Sequence, residues 1–229
     1  MSLHKLKIIF FLLLFSNGFI SNSIAQGNLS YADERFLHFG YSLGLNMMDF
    51  GIKTLNNADN VRVSTLKPGF SVGVITDLRL NRYLNLRFNP TLNFGERELS
   101  YNFKDSATIS IQSIPICFPI YLKYSAERKG NFRPYLLWGA GIAIDLATNK
   151  ENLVLLKPFD YYTEFGVGCD LYFSFFKLCP ELKYSIGFND IFVPVNKRDA
   201  GNLGPINEKY SSPLTKLTSH MLTLAFNFE

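Results

Sequence analysis

The side chains able to do chemistry in this sequence are few, and their spacing argues against most of it. Ser219 and His220 are adjacent, the residue types of a nucleophile and its base. On a strand, however, neighbours point to opposite faces, so the two cannot meet. His38 lies at the start of an alternating stretch and reads as a structural, inward-facing histidine. Cys117, Cys169 and Cys179 are odd in number, and their spacing with the few histidines gives no zinc pattern. They read as small packing residues. A bridge between Cys169 and Cys179 is conceivable across one hairpin, but alternation sets the two on opposite faces. "GAG" at 139–141 and "GVG" at 166–168 sit in strand-like stretches with no helix after them, so they are not phosphate loops. No catalytic, metal-binding or cofactor-binding residue is assigned.

The remaining polar groups make sense once the elements that carry them are drawn. "LHFGYSLGLNM" puts Leu37, Phe39, Tyr41, Leu43, Leu45 and Met47 on one face, with His38, Gly40, Ser42, Gly44 and Asn46 on the other. "LNLRFNPTLNFG" and "FKLCPELKYSIGF" repeat this period of two, the signature of strands with two different surroundings. Weaker alternation runs through 69–78, 113–124, 134–146 and 159–172, and the chain ends on "LTLAFNF". That gives about eight strands. Pro90, Pro119, Pro134 and Pro180 fall within them and mark edges or bulges.

The connections alternate in length. Long links are expected at 51–67, 147–157 and 189–216, and short ones near 80–83 and 173–175, with intermediate links near 102–108 and 125–131. A barrel that crosses a membrane keeps one end of every hairpin short. The fold expected is therefore all-β: an eight-stranded antiparallel transmembrane β-barrel with short periplasmic turns and longer extracellular loops. Leu222, Leu224, Phe226 and Phe228 of the final strand would face lipid, and that strand would pair with the first to close the seam.

On the other face stand Arg87, Lys123, Asp145, Asp160, Glu164, Asp170, Glu181 and Lys183, of both signs. A small barrel is filled by side chains, and buried charges persist only when paired, so these eight are expected to form an interior ion-pair network. Trp138 and Tyr124 suit an aromatic girdle.

Residues 1–25 read as a signal peptide: Lys5 and Lys7, an apolar run from Ile8 to Phe15, then Ser23 and Ala25. Residues 26–36 read as a periplasmic lead-in and 37–229 as the barrel domain. Cleavage after Ala25 leaves 229 − 25 = 204 residues, and the formal charge falls from +4 to about +2 as two lysines leave. Such a chain is no basic nucleic-acid binder, and no small-molecule substrate is expected. The destination expected is the cell outer membrane, with its lipid as a partner.

Several stretches go beyond pattern. "LHFGYSLGLNMMDF" (37–50), "LRLNRYLNLRFNPTLNFGERELSY" (78–101), "FPIYLKYSAERKGNFRPYLLWGAG" (118–141), "FDYYTEFGVGCDLYFSFFKLCPELKYSIG" (159–187) and the terminal "LAFNFE" resemble the PorT family of Bacteroidetes outer-membrane β-barrels. The resemblance is weakest at 51–67 and 189–216. It implies a non-enzymatic component or assembly factor of the type IX secretion system, linked to gliding motility in some members, with other secretion components as partners. It carries over no catalytic residues. The long link 189–216 is the candidate partner surface. A small porin-like or ligand-binding barrel is the alternative, and a lipid-modifying enzyme the remaining one.

Overall fold

The structure is a computed structural model and describes residues 29, 32–54, 61–63, 66–102, 106–147, 154–194, 211 and 213–229. The expected signal peptide and its cleavage site lie outside these residues, as does most of the lead-in before a single 3-10 turn at Ala32–Glu34.

Among the described residues eleven strands form: β1 (Leu37–Thr54), β2 (Val61–Val63), β3 (Pro68–Arg79), β4 (Leu84–Phe88), β5 (Thr91–Asn102), β6 (Ser106–Ser113), β7 (Pro115–Ser125), β8 (Phe132–Asp145), β9 (Phe159–Tyr172), β10 (Lys177–Gly187) and β11 (Leu214–Phe228). They make eight staves. Asn89 and Pro90 interrupt the third, splitting it into β4 and β5, because proline cannot donate to a ladder. Ile114, just before Pro115, separates β6 from β7 in the fourth, its amide donating to Asp145 instead of to a neighbouring strand.

Every pairing is antiparallel, and the pairings run in a closed cycle. β1 pairs with β3, β3 with β4 and β5, these with β7, and β7 with β8. From β8 the order continues through β9 and β10 to β11. β11 returns to β1 with Tyr41 opposite Phe228 and Met47 opposite Leu222. No sheet edge faces outward along this cycle, which is the condition for crossing lipid with strands.

Burial follows the pleat. In β1, Ser42, Asn46 and Met48 are buried while Tyr41, Leu43, Leu45 and Met47 are exposed. Around the wall the exposed set includes Phe70, Val74, Ile120, Tyr124, Leu136, Trp138, Phe165, Val167, Leu182, Leu222, Leu224 and Phe226. The buried set on the same strands includes Arg87, Lys123, Glu164, Asp170, Glu181 and Lys183. Apolar outside and charged inside is the inverse of a water-soluble barrel. A belt of this extent exceeds what a soluble monomer leaves bare.

Three features differ from the sequence expectation. β11 begins at Leu214, eight positions before the recognised "LTLAFNF", and β1 runs on to Thr54 into the expected long link. β5 and β6 form a long hairpin, with β2 pairing along β5, so the intermediate link is mostly strand. The link read as a polar partner surface at 189–216 sends Ile191, Phe192 and Leu214 into a core, because those apolar side chains gain more from burial than from water. Residues 195–210 and 212 of that link lie outside the described residues.

Candidate functional site: the filled lumen and the outer seam

The lumen holds charge in layers. Nearest the short turns, Arg87 on β4 is fully buried. Its Nε and Nη2 donate to Asp77 Oδ2 at 3.0 and 2.8 Å. Nη1 donates to Glu181, and Nη2 also to Glu229 Oε1 at 2.7 Å. Lys123 Nζ lies 2.9 and 3.0 Å from the two oxygens of Asp170. Lys177 Nζ lies 2.6 Å from Glu229 Oε2. Tyr135 donates to Glu181 at 2.6 Å, and its ring lies 4.0 Å beneath the Lys123 ammonium. A guanidinium can serve three carboxylates because its donors fan out in one plane. The cluster is charged, buried and internally paired, which is how a small barrel keeps ions inside.

The next layer is separate. Tyr121 donates to Glu164 Oε1 at 2.6 Å, Ser185 donates to Oε2, and Lys183 Nζ lies 3.3 Å from Oε1. Above it Arg97 on β5 is buried. Its Nη2 donates to Ser219 Oγ at 2.8 Å and its guanidinium lies 5.0 Å over the Phe50 ring. A cavity of about 40 Å³ lies between Arg97, Cys117, Asp145, Asp160, Tyr162 and Met221.

At the loop end lies an apolar core. Phe50, Leu99, Tyr101, Ile109, Ile111, Val154, Leu156, Ile191, Phe192, Leu214 and Leu217 pack together, and an isolated bridge ties Leu156 to Phe192. At the turn end, Asp33 of the 3-10 turn lies 3.3 Å from Arg133 and 3.6 Å from Arg128, and accepts from Tyr172 at 2.5 Å.

Six of the eight expected interior residues make ion pairs: Arg87, Lys123, Asp170 and Glu181 in one layer, Glu164 and Lys183 in the other. Among the described residues Asp145 and Asp160 do not. Asp145 accepts from Ser113 and from the Ile114 and Ala147 amides, and Asp160 from the Asn189 amide at 3.1 Å. They tie down loop ends. Asp77, Lys177, Arg97 and Glu229 were not singled out in the sequence. Asp77 is hidden because Ile75, equally buried, breaks the polar run on that face.

Cys117 and Cys179 are buried, Cys169 is half-buried on the outward face, and all three are free thiols. Ser219 points inward to Arg97 while His220 points outward, so they do not meet. His220 instead joins an outward chain that alternation alone did not suggest. Tyr184 Oη lies 3.2 Å from His220 Nδ1, and His220 Nε2 lies 3.2 Å from Thr218 Oγ1. Thr218 donates onward to the Gly51 carbonyl at 3.3 Å. A Cβ on Gly51 would stand 2.3 Å from Thr218 Oγ1 and 2.6 Å from His220 Nε2, so glycine is what leaves room for the chain. Beyond it, Lys53 and Lys216 face each other across the seam.

Several solved outer-membrane proteins are similar to this chain. Neisserial surface protein A is similar at 12% identity, with 84% of this chain and 98% of that chain covered and a TM-score of 0.45. OprG from Pseudomonas aeruginosa is similar at 13% identity, covering 83% and 93%, with a TM-score of 0.47. AlkL, solved in lipid bilayers, is similar at 11% identity, covering 91% and 94%, with a TM-score of 0.41. No curated protein matches in sequence. The family model described as "Outer membrane protein beta-barrel domain" matches residues 24–193, most of the length. With that match, a closed cycle of strands, an apolar wall and a charged lumen, this chain belongs to the outer membrane protein beta-barrel domain family.

Proposed function

We propose that this outer-membrane barrel is a non-conducting, non-enzymatic component or assembly factor of the type IX secretion system, contributing surfaces rather than a channel. One observation carries the non-conducting half. The lumen is filled at successive levels, by the Arg87 cluster, the Lys183–Glu164 layer and the apolar core at the loop end. An eight-stranded barrel has room only for its own side chains, and here they occupy it. The porin-like alternative needs an open path past Arg87, which is fully buried among three carboxylates. The secretion half rests on the resemblance of residues 37–50, 78–101, 118–141 and 159–187 to the PorT family.

The test is deletion of the gene in its host with complementation. The reading expects proteins bearing a type IX C-terminal signal domain to accumulate in the periplasm of the deletant, and export to return with the wild-type copy. Normal export in the deletant would remove the secretion role and leave the barrel assignment standing.

A further inference from the structure

The outward face of the β1–β11 seam changes character in even steps toward the loop end. Met47 lies opposite Leu222, then Asp49 opposite His220, Gly51 opposite Thr218, and Lys53 opposite Lys216. Alternation puts all of these on the wall, since Leu217 between them is fully buried and Ile52 packs on the core. Two ammonium groups thus stand on directly paired positions, whose Cβ atoms are about 5 Å apart in an antiparallel sheet. Like charges so placed repel. Among the described residues neither lysine has a carboxylate within 4 Å or any other polar partner. The register also shifts between Lys53 and Thr54, and such a bulge re-aims the side chains beside it.

We propose that Lys53 and Lys216 bind the phosphorylated headgroup of an outer-leaflet lipid. A phosphate between the two ammonium groups turns a repulsive pair into two charge-assisted hydrogen bonds. The family's barrels place short turns in the periplasm and long loops outside, which sets this end of the seam at the outer leaflet. A lipid is the source because the approach is apolar. Met47 and Leu222 line the wall below, and Phe188, two residues past the Ile186–His220 pair, is 60% exposed. Thr218 and His220 lie between the apolar ladder and the lysines, where the polar part of a headgroup passes. The site is independent of the secretion role.

The experiment uses the purified full-length protein in dodecyl maltoside micelles, read by native mass spectrometry. Bisphosphorylated lipid A is compared with the same lipid stripped of phosphate. The expected result is at least tenfold more retained phosphorylated lipid, lost in the double variant Lys53→Gln/Lys216→Gln and kept in Lys53→Arg/Lys216→Arg. Heat-modifiable migration shows that each variant is folded. Equal retention of both lipids, or unchanged retention by the glutamine variant, overturns the proposal. So does inorganic phosphate that displaces the lipid at equal concentration, which would make the site one for free phosphate.

Discussion

Glu229 and Lys177 hold each other twice. Each backbone amide donates to the other's carbonyl, at 2.8 and 2.9 Å, and the Lys177 ammonium lies 2.6 Å from the Glu229 carboxylate. The side chain after the last lipid-facing aromatic pair therefore turns into the lumen, where it also meets Arg87. The final strand is fixed to the wall by its ladder and to the interior by charge.

This arrangement ranks two substitutions. The turn-end cluster sets three cations, Arg87, Lys123 and Lys177, against four carboxylates, Asp77, Asp170, Glu181 and Glu229. Arg87→Gln leaves two cations facing four carboxylates. It is expected to cost about 3–5 kcal/mol, the scale of breaking a buried pair. Glu229→Gln leaves three facing three and is expected to cost less. Urea unfolding in micelles, followed by heat-modifiable migration, gives the order. A larger loss for Glu229→Gln would show that the cluster is not held by charge balance.

Gly139 lies opposite Tyr121 in the wall, and a Cβ there would stand 2.3 Å from the Ile120 carbonyl oxygen and 2.5 Å from the Tyr121 ring. The nearest atom is backbone and cannot swing away. Gly139→Ala is expected to destabilise the barrel by about 1–3 kcal/mol, the range of overpacking. The same unfolding measurement checks it.

The apolar core at the loop end predicts protection of the outer segments. Leu217 is fully buried in that core. Leu217→Ala is expected to cost about 2–5 kcal/mol by leaving a cavity. It should also open the segment around Ile191 and Phe192 to proteinase K on intact cells, while the wild type resists cleavage there. Equal cleavage of both would show that the core does not hold the loops.

On the hairpin beyond the wall, Lys67 Nζ lies 2.7 Å from Glu96 Oε2 and 2.7 Å from Glu98 Oε1. The hydrogen bond from Lys67 holds the Glu96 carboxyl below its ordinary value. A depressed acid contributes stability that is present above the unfolded-state value and lost as pH falls through the folded one. The pair is exposed, so the effect on stability is small. The visible sign is a Glu96 titration midpoint, by NMR, that rises toward the ordinary carboxylate range in Lys67→Gln.

The staves of this barrel could be read from alternation because each strand separates lipid from lumen, and that contrast is written at every second residue. Residues Leu222, Leu224, Phe226 and Phe228 lie on the outward face as their pattern requires. What alternation did not reveal was decided across strands. Ile191 and Phe192 look like part of a polar link, and only their meeting with Leu99, Ile109 and Leu217 makes a core. Glu229 reads locally as one more polar position of the final alternating strand, and its role comes from Arg87, distant by 142 positions. Asp145 and Asp160 have the right face but find backbone amides before any cation.

Electrical conductance tests the filled lumen most directly. Purified protein, folded and inserted into planar bilayers, is expected to give no stepwise current, and Arg87→Gln with the apolar core at the loop end intact should give none either. Stable, ohmic steps from the wild type would contradict a lumen closed by the Arg87 cluster and the apolar core, and would make this barrel a pore.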